Sequence, residues 1–400
     1  MNTPKIRFKE FKNEWKTYRL SAVAKIYDGT HTTPDYQTTG IPFYSVEHLT
    51  SGDFSKTKFI STEVFENENK RVRLEKGDVL MTRIGDIGTA KYIDWDVEAS
   101  FYVSLALIKP SDVDGVYLSQ YIATPQFQRE LYLRTIHVAF PKKINLGEIG
   151  ECLIKKPDLL EQKKIALFLS TVDHKISILS KEYEFLTNYK NGILQKIFNQ
   201  EIKFKDSYSK DFPRWEQKKL GSVAKLKSGY PFNSNTYVTD GEYKIITISN
   251  VQSGYMKHDR INSLDELPTD IQEHQRLKIG DLLVSMTGNV GRICRVEISK
   301  SVLNQRVGVF IANGININFL FYCLNNQSFT KAMELISQGG AQKNIGTKDI
   351  ESYPLQIPCL EEQEKIANFL SAIDGKISNV QQQLDLTKQY KQGLLQQMFV

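Results

Sequence analysis

The segment PDLLEQKKIALFLSTVDHKIS, residues 157–177, returns as PCLEEQEKIANFLSAIDGKIS at residues 358–378. The match resumes at Tyr189-Lys190-x-Gly192-x-Leu194-Gln195-x2-Phe198 and again at Tyr390-Lys391-x-Gly393-x-Leu395-Gln396-x2-Phe399. Aligned over 157–198 and 358–399, 20 of 42 positions are identical. Chance pairing at ordinary composition gives roughly two or three. The repeat extends outward. Trp15-x4-Leu20-x2-Val23-Ala24-Lys25 recurs as Trp215-x4-Leu220-x2-Val223-Ala224-Lys225. Lys76-Gly77-Asp78-Val79-Leu80-x-Thr82-x2-Gly85-x2-Gly88 recurs as Ile279-Gly280-Asp281-Leu282-Leu283-x-Ser285-x2-Gly288-x2-Gly291. A chain of 400 residues with a period near 200 is one structural plan used twice.

Each copy has two parts. Ile165, Leu169, Val172, Ile176, Leu179, Tyr183 and Leu186 step by four and three, as do Ile366, Leu370, Ile373, Ile377, Val380 and Leu384. This is an apolar heptad seam, the pattern of helices that pair. Pro157 and Pro358 stand just before the helices, where helix starts favour proline. A helix over 161–198 is about 57 Å long at 1.5 Å per residue. The remaining stretches alternate short β-type runs (41–46, 79–82, 103–108; 244–248, 282–285, 307–311) with Gly, Asn, Asp and Pro turns and a few helical segments. The expected architecture is α+β. A globular domain at 1–156 is followed by a spacer helix at 157–200, and a second domain at 201–357 by a second spacer at 358–400. Antiparallel pairing of two matched seams in one chain implies a coiled-coil spacer and a pseudo-two-fold relation between the halves.

Composition narrows the classes. Lys plus Arg is 52 against 46 for Asp plus Glu, a net charge of +6, which permits a nucleic-acid partner without demanding one. The apolar run Phe101–Ile108 is far short of the roughly 20 residues of a spanning helix, and the start MNTPKIRFKEFKNEW has no apolar signal segment, so a cytoplasmic protein is expected. Four cysteines form no CxxC pair and six histidines no HxxxH pair, which disfavours a metal site or a disulfide framework.

Two similar heads on a stiff spacer suit a target with its own two-fold relation, and duplex DNA is one. The residues carry a resemblance in the same direction. P-x-L-x-E-Q-x-x-I-A-x-F-L-S-x-x-D-x-K-I-S (157–177 and 358–378) and Y-K-x-G-x-L-Q (189–195 and 390–396) resemble the repeated helical regions of type I restriction-modification specificity subunits. The openings Ile6-Arg7-Phe8…Phe11…Trp15 and Ile202-Lys203-Phe204…Phe212…Trp215 are similar to that family's domain starts, and Gly29-Thr30-His31-x2-Pro34 with Gly40-Ile41-Pro42 is similar to a first-strand pattern there. The resemblance implies two target recognition domains, each reading half of a bipartite, asymmetric site. It also implies that the spacer helices set the spacing and dock two DNA-adenine methyltransferase subunits, with translocase-nuclease subunits joining them. S-adenosylmethionine, ATP and Mg are then expected on those partners and no cofactor on this chain.

The residues supply no competing chemistry. The Asn/Asp-Pro-Pro-aromatic loop of an amino-methyltransferase is absent, and Asp211-Phe212-Pro213 has neither its order nor its second proline. There is no GxxxxGK[ST] phosphate loop. Gly85-x2-Gly88 and Gly288-x2-Gly291 read as hairpin turns, and Pro157-Asp158-x2-Glu161-x-Lys163, which mimics a nuclease signature, opens a helix instead. The rival from another class is a coiled-coil scaffold whose heads bind protein, and an enzyme ranks third. Sequence-specific binding needs Lys or Arg on phosphates and Asn, Gln, Arg, Ser or Thr on base edges. Candidates in the first head are Thr30, His31, Thr32, Thr82, Arg83, Lys142 and Lys143. In the second they are Asn233, Ser234, Thr287, Asn289, Gln342, Lys343 and Asn344, the last three in the glycine-rich stretch 339–345.

Overall fold

The computed structural model describes residues 3–337 and 344–400. The chain divides into two units, Met1–Tyr183 with Val380–Val400, and Glu184–Asn379.

Among the described residues the first unit holds nine strands: β1 (Lys16–Arg19), β2 (Ala24–Asp28), β3 (Ile41–Tyr44), β4 (Lys58–Ile60), β5 (Val79–Ile84), β6 (Asp86–Tyr92), β7 (Ser100–Phe101), β8 (Leu105–Pro110) and β9 (Leu153–Lys156). An antiparallel sheet runs in the order β2-β8-β5-β6, and a smaller one in the order β4-β3-β7, whose β3–β7 pair is parallel. Helices α1 (Gly115–Ile122) and α2 (Pro125–Arg134) complete the head. Asp114 and Thr124 cap them by accepting from the backbone N–H of Tyr117 and Phe127. β1 pairs antiparallel with β9, Lys16 opposite Lys156, so the start of the head is sewn to the strand that feeds the long helix α3 (Leu159–Phe198).

The second unit repeats the plan. Its strands are β10 (Glu216–Lys219), β11 (Ala224–Ser228), β12 (Tyr243–Ile246), β13 (Asn262–Leu264), β14 (Arg276–Leu277), β15 (Leu282–Ser285), β16 (Ile293–Arg295), β17 (Ser301–Leu303), β18 (Val307–Ala312) and β19 (Pro354–Ile357). The sheets run β11-β18-β15-β16 and β13-β12-β17-β14, and β10 pairs with β19 as β1 does with β9. Helices α4 (Ile317–Leu324) and α5 (Gln327–Ile336) stand where α1 and α2 do, and the second long helix, α6, spans Leu360–Gln397.

The repeated motif now has physical reasons. Gln162 is buried and brackets the helix start. Its Oε1 accepts from the Asp114 N–H at 2.9 Å and its Nε2 donates to the Pro157 carbonyl at 2.7 Å. Gln363 does the same with the Asn316 N–H and the Pro358 carbonyl, both at 2.8 Å. The buried Glu161 takes Arg7, and its counterpart Glu362 takes the Trp215 indole N–H. Burial raises the Glu362 carboxyl pKa, partly offset by that bond.

Each unit is completed by the end of a long helix. In the first, Leu394 and Leu395 of α6, with Met398 and Phe399 just beyond its end, join Ile165, Leu169 and Val172 of α3 in one core with Trp15 and Tyr117. In the second, Ile197 of α3 joins Ile366 and Leu370 of α6, with Phe198 and Trp215 packed alongside. The two helices therefore run antiparallel within each unit. Of the seam, Ile165, Leu169, Val172, Leu179, Ile366, Leu370, Ile373, Val380 and Leu384 are buried, while Ile176, Tyr183 and Ile377 are half-buried. Lys190 and Lys391, which break the seam, pair across the copies. Lys391 meets Asp173 at 2.6 Å and Lys190 meets Asp374 at 2.5 Å.

Candidate nucleic-acid interface

In the first unit β2 and β5 end, and β8 and β6 begin, at one edge of the larger sheet. Short backbone bonds sew the neighbouring loops together there. Thr30 N–H donates to the Phe101 carbonyl and Val103 N–H to Thr30, both at 2.9 Å. Gly29 allows this approach, because a Cβ on it would lie 2.0 Å from the Phe101 carbonyl oxygen. Arg83 N–H donates to Ser104, Gly85 N–H to Lys142, and Ile136 N–H to Lys143, all at 2.8–2.9 Å. The second unit matches it. Tyr230 N–H donates to Leu303, Gln305 N–H to Tyr230, Met286 N–H to Arg306 and Ile345 N–H to Met286.

The structure sorts the expected contact residues by burial. His31, Thr32, Lys142 and Lys143 are exposed at this edge of the first unit, and Asn233, Ser234, Asn289 and Asn344 at that of the second. Among the described residues neither Lys142 nor Lys143 has an ion-pair partner, so both ammonium groups are available to an anion. His31 Nε2 lies 2.7 Å from Asp28 Oδ2. Burial pushes the Asp28 carboxyl up, but the bonds from Arg71 and His31 outweigh it and hold the group below the usual range. Gln342 and Lys343 lie outside the described residues.

Four of the expected contact residues are buried. Thr82 is buried, with its hydroxyl donating to Asp86 Oδ2 at 2.9 Å and accepting from the Thr89 N–H at 3.0 Å. It closes the β5–β6 hairpin at a bulge between Met81 and Arg83. Ser285 does the same in the second unit, donating to the Asn289 carbonyl and accepting from the Arg292 N–H. Arg83 is buried, and its guanidinium donates to the carbonyls of Ile144 and Val103 at 3.2 and 2.7 Å, holding the loops in place. Burial lowers its pKa. Thr287 is buried and donates to Asn344 Oδ1 at 3.0 Å. Thr30 is buried on the loop that bridges Tyr102. The Thr82, Arg83 and Thr287 side chains are spent on the scaffold, since a buried polar group needs its partner inside.

Gly85 and Gly288 are turn residues with φ of 82° and 72°. At Gly88 and Gly291 a Cβ would meet Gln128 and Met333 at 2.6 and 2.8 Å, where α2 and α5 pack on the hairpins. Sequence reasoning missed Arg306, which is exposed at the loop following β17. Its signal lay in the repeat, since its carbonyl receives the Met286 N–H as that of Ser104 receives Arg83. Among the described residues no three His, Cys, Asp or Glu side chains converge to hold a metal ion, and no helix is long and apolar enough to cross a membrane.

A duplicated head, each with a stitched loop edge and a shared helix, is the form of a DNA specificity protein. The type I restriction modification DNA specificity domain matches twice, at residues 12–188 and 213–388, and the chain belongs to that family. It is a specificity subunit of a type I restriction-modification system. It is 28% identical over 386 residues to the type I restriction enzyme MjaVIII specificity subunit of Methanocaldococcus jannaschii, covering 91% of this chain and 87% of that one. With the putative MjaX specificity subunit of the same organism it shares 25% over 395 residues, covering 94% and 90%. The crystal structure of a type I restriction-modification S subunit from M. genitalium has the same fold, with a TM-score of 0.67 at 15% identity over 100% of this chain and 99% of that one.

Proposed function

We propose that each unit reads one half of a bipartite, asymmetric DNA site through its stitched loop edge. In this reading α3 and α6 set the spacing and dock two methyltransferase subunits, and this chain performs no catalysis. S-adenosylmethionine, ATP and Mg belong to the partner subunits, and the complex works in the cytoplasm. One observation supports the reading above others. The scaffold residues at the two edges match, Thr82 with Ser285 and Gly88 with Gly291, while exposed residues at equivalent positions differ: His31 against Pro231, Asp86 against Asn289 and Lys143 against Asn344. A constant frame with different side chains presents different donors and acceptors to base edges.

The test is to express the chain with its methyltransferase subunits and map the methylated adenines. Replacing residues 1–156 by those of a relative should change one half-site and leave the other. A change in both halves, or in neither, rejects the reading.

A further inference from the structure

Val138 and Phe140 stand at the tip of a loop in the first unit, 97% and 103% exposed. Single exposed apolar side chains are ordinary. Two within three residues, on a loop fixed at both feet, are not. Ile136 N–H donates to the Lys143 carbonyl and Gly85 N–H to the Lys142 carbonyl, both at 2.8 Å, and Ile144 N–H donates to Arg83. The His137 ring packs on Tyr132 with centroids 4.4 Å apart, and its Nε2 lies 2.9 Å from the Tyr132 carbonyl. The base is therefore held to the sheet edge while the phenyl ring meets only water.

We infer that Phe140 is an apolar wedge that enters the base stack of the half-site read by the first unit. The inference rests on the reading of that edge as DNA-binding. Charge favours a polyanion over a basic or neutral protein surface, because residues 137–143 carry Lys142, Lys143 and His137 and no acid. Lysines beside the ring place cations at the phosphates that flank an opened base step, and a phenyl ring covers the face of an unstacked base. The corresponding stretch 338–343 of the second half, QGGAQK, has no aromatic residue, so the wedge belongs to one half-site.

The experiment uses the complex with its methyltransferase subunits and duplexes carrying the mapped site, with 2-aminopurine placed in turn along each half. With the native protein, fluorescence should rise at one step of the first half. Phe140→Ala should abolish the rise and weaken binding by about ten- to a hundred-fold, the scale of burying one phenyl ring, with an unchanged salt slope. Phe140→Leu should restore most of the affinity, and both variants should keep their partner subunits. Affinity within two-fold of native, no fluorescence rise with native protein, or a loss traced to released subunits overturns the wedge. Scrambling the first half-site separates the two readings. If scrambling abolishes native binding while Phe140→Ala does not weaken it, only the wedge fails. If scrambling has no effect, the DNA reading of this edge fails and the wedge with it.

Discussion

Phe399→Ala tests whether the far end of the chain belongs to the first unit. The ring is 3% exposed, and it packs on Trp15, Tyr117 and Tyr121 with centroids 6.2, 5.4 and 5.6 Å away. Truncating a buried phenylalanine costs about 3–5 kcal/mol through lost transfer energy and the cavity left behind. With a urea slope of about 2–3 kcal/mol/M, the midpoint falls by about 1–2.5 M. The cysteines report which unit opens. Cys152 is buried in the first unit, and Cys294 and Cys323 are buried in the second. Pulsed thiol labelling along a urea series should find Cys152 modified at lower urea in the variant, with Cys294 and Cys323 unchanged. Earlier labelling of Cys294 and Cys323, or no shift at Cys152, refutes the assignment of α6's end to the first core.

Gln162→Ala removes two buried bonds and strands the Asp114 N–H and the Pro157 carbonyl. Chemical denaturation should show a loss of about 1–3 kcal/mol, confined to the Cys152 reporter, and Gln363→Ala should act on the other unit. The part-exposed pair Asp173–Lys391 should show a coupling of only about 0.5–1 kcal/mol in a double-mutant cycle. A Lys142→Ala variant in the assembled complex should lower the slope of log affinity against log salt by about one, as loss of one phosphate contact does, and an unchanged slope denies that contact. Burial pushes the Cys152 and Cys294 thiols up to about 12. Native protein at pH 8 should therefore react with a thiol reagent at the exposed Cys359 alone, and all four should react once unfolded. The raised thiols favour the folded state below the unfolded value of 9.0, and that contribution is lost as pH rises through about 12. Denaturation midpoints should accordingly fall across that window, and a flat alkaline limb argues against these buried thiols.

The duplication and the helical seams were legible in the sequence because both depend on spacing along the chain. Heptad steps need no partner to be seen, and nor does a repeated Pro-x-Leu-x-Glu-Gln start. The hairpin reading of Gly85-x2-Gly88 likewise rests on local backbone freedom. The contact residues were less legible. Thr82 and Arg83 look like DNA readers in one dimension, but they face carbonyls and amides brought from 20 to 61 residues away, or a turn that needs a hydroxyl inside. Polarity in the sequence does not say which side of a loop a side chain takes.

By itself, then, the sequence determined that one plan of sheet, turn and long helix occurs twice, and that two apolar seams seek each other. Only the tertiary structure decided that Lys391 and Phe399 finish the first unit while Lys190 and Phe198 finish the second. It alone decided which polar side chains are consumed by the scaffold and which, such as Lys142 and Lys143, are left exposed to solvent. The physical reason is the same in both cases. Periodicity is a property of the chain, whereas burial is a property of what distant segments bring to one place.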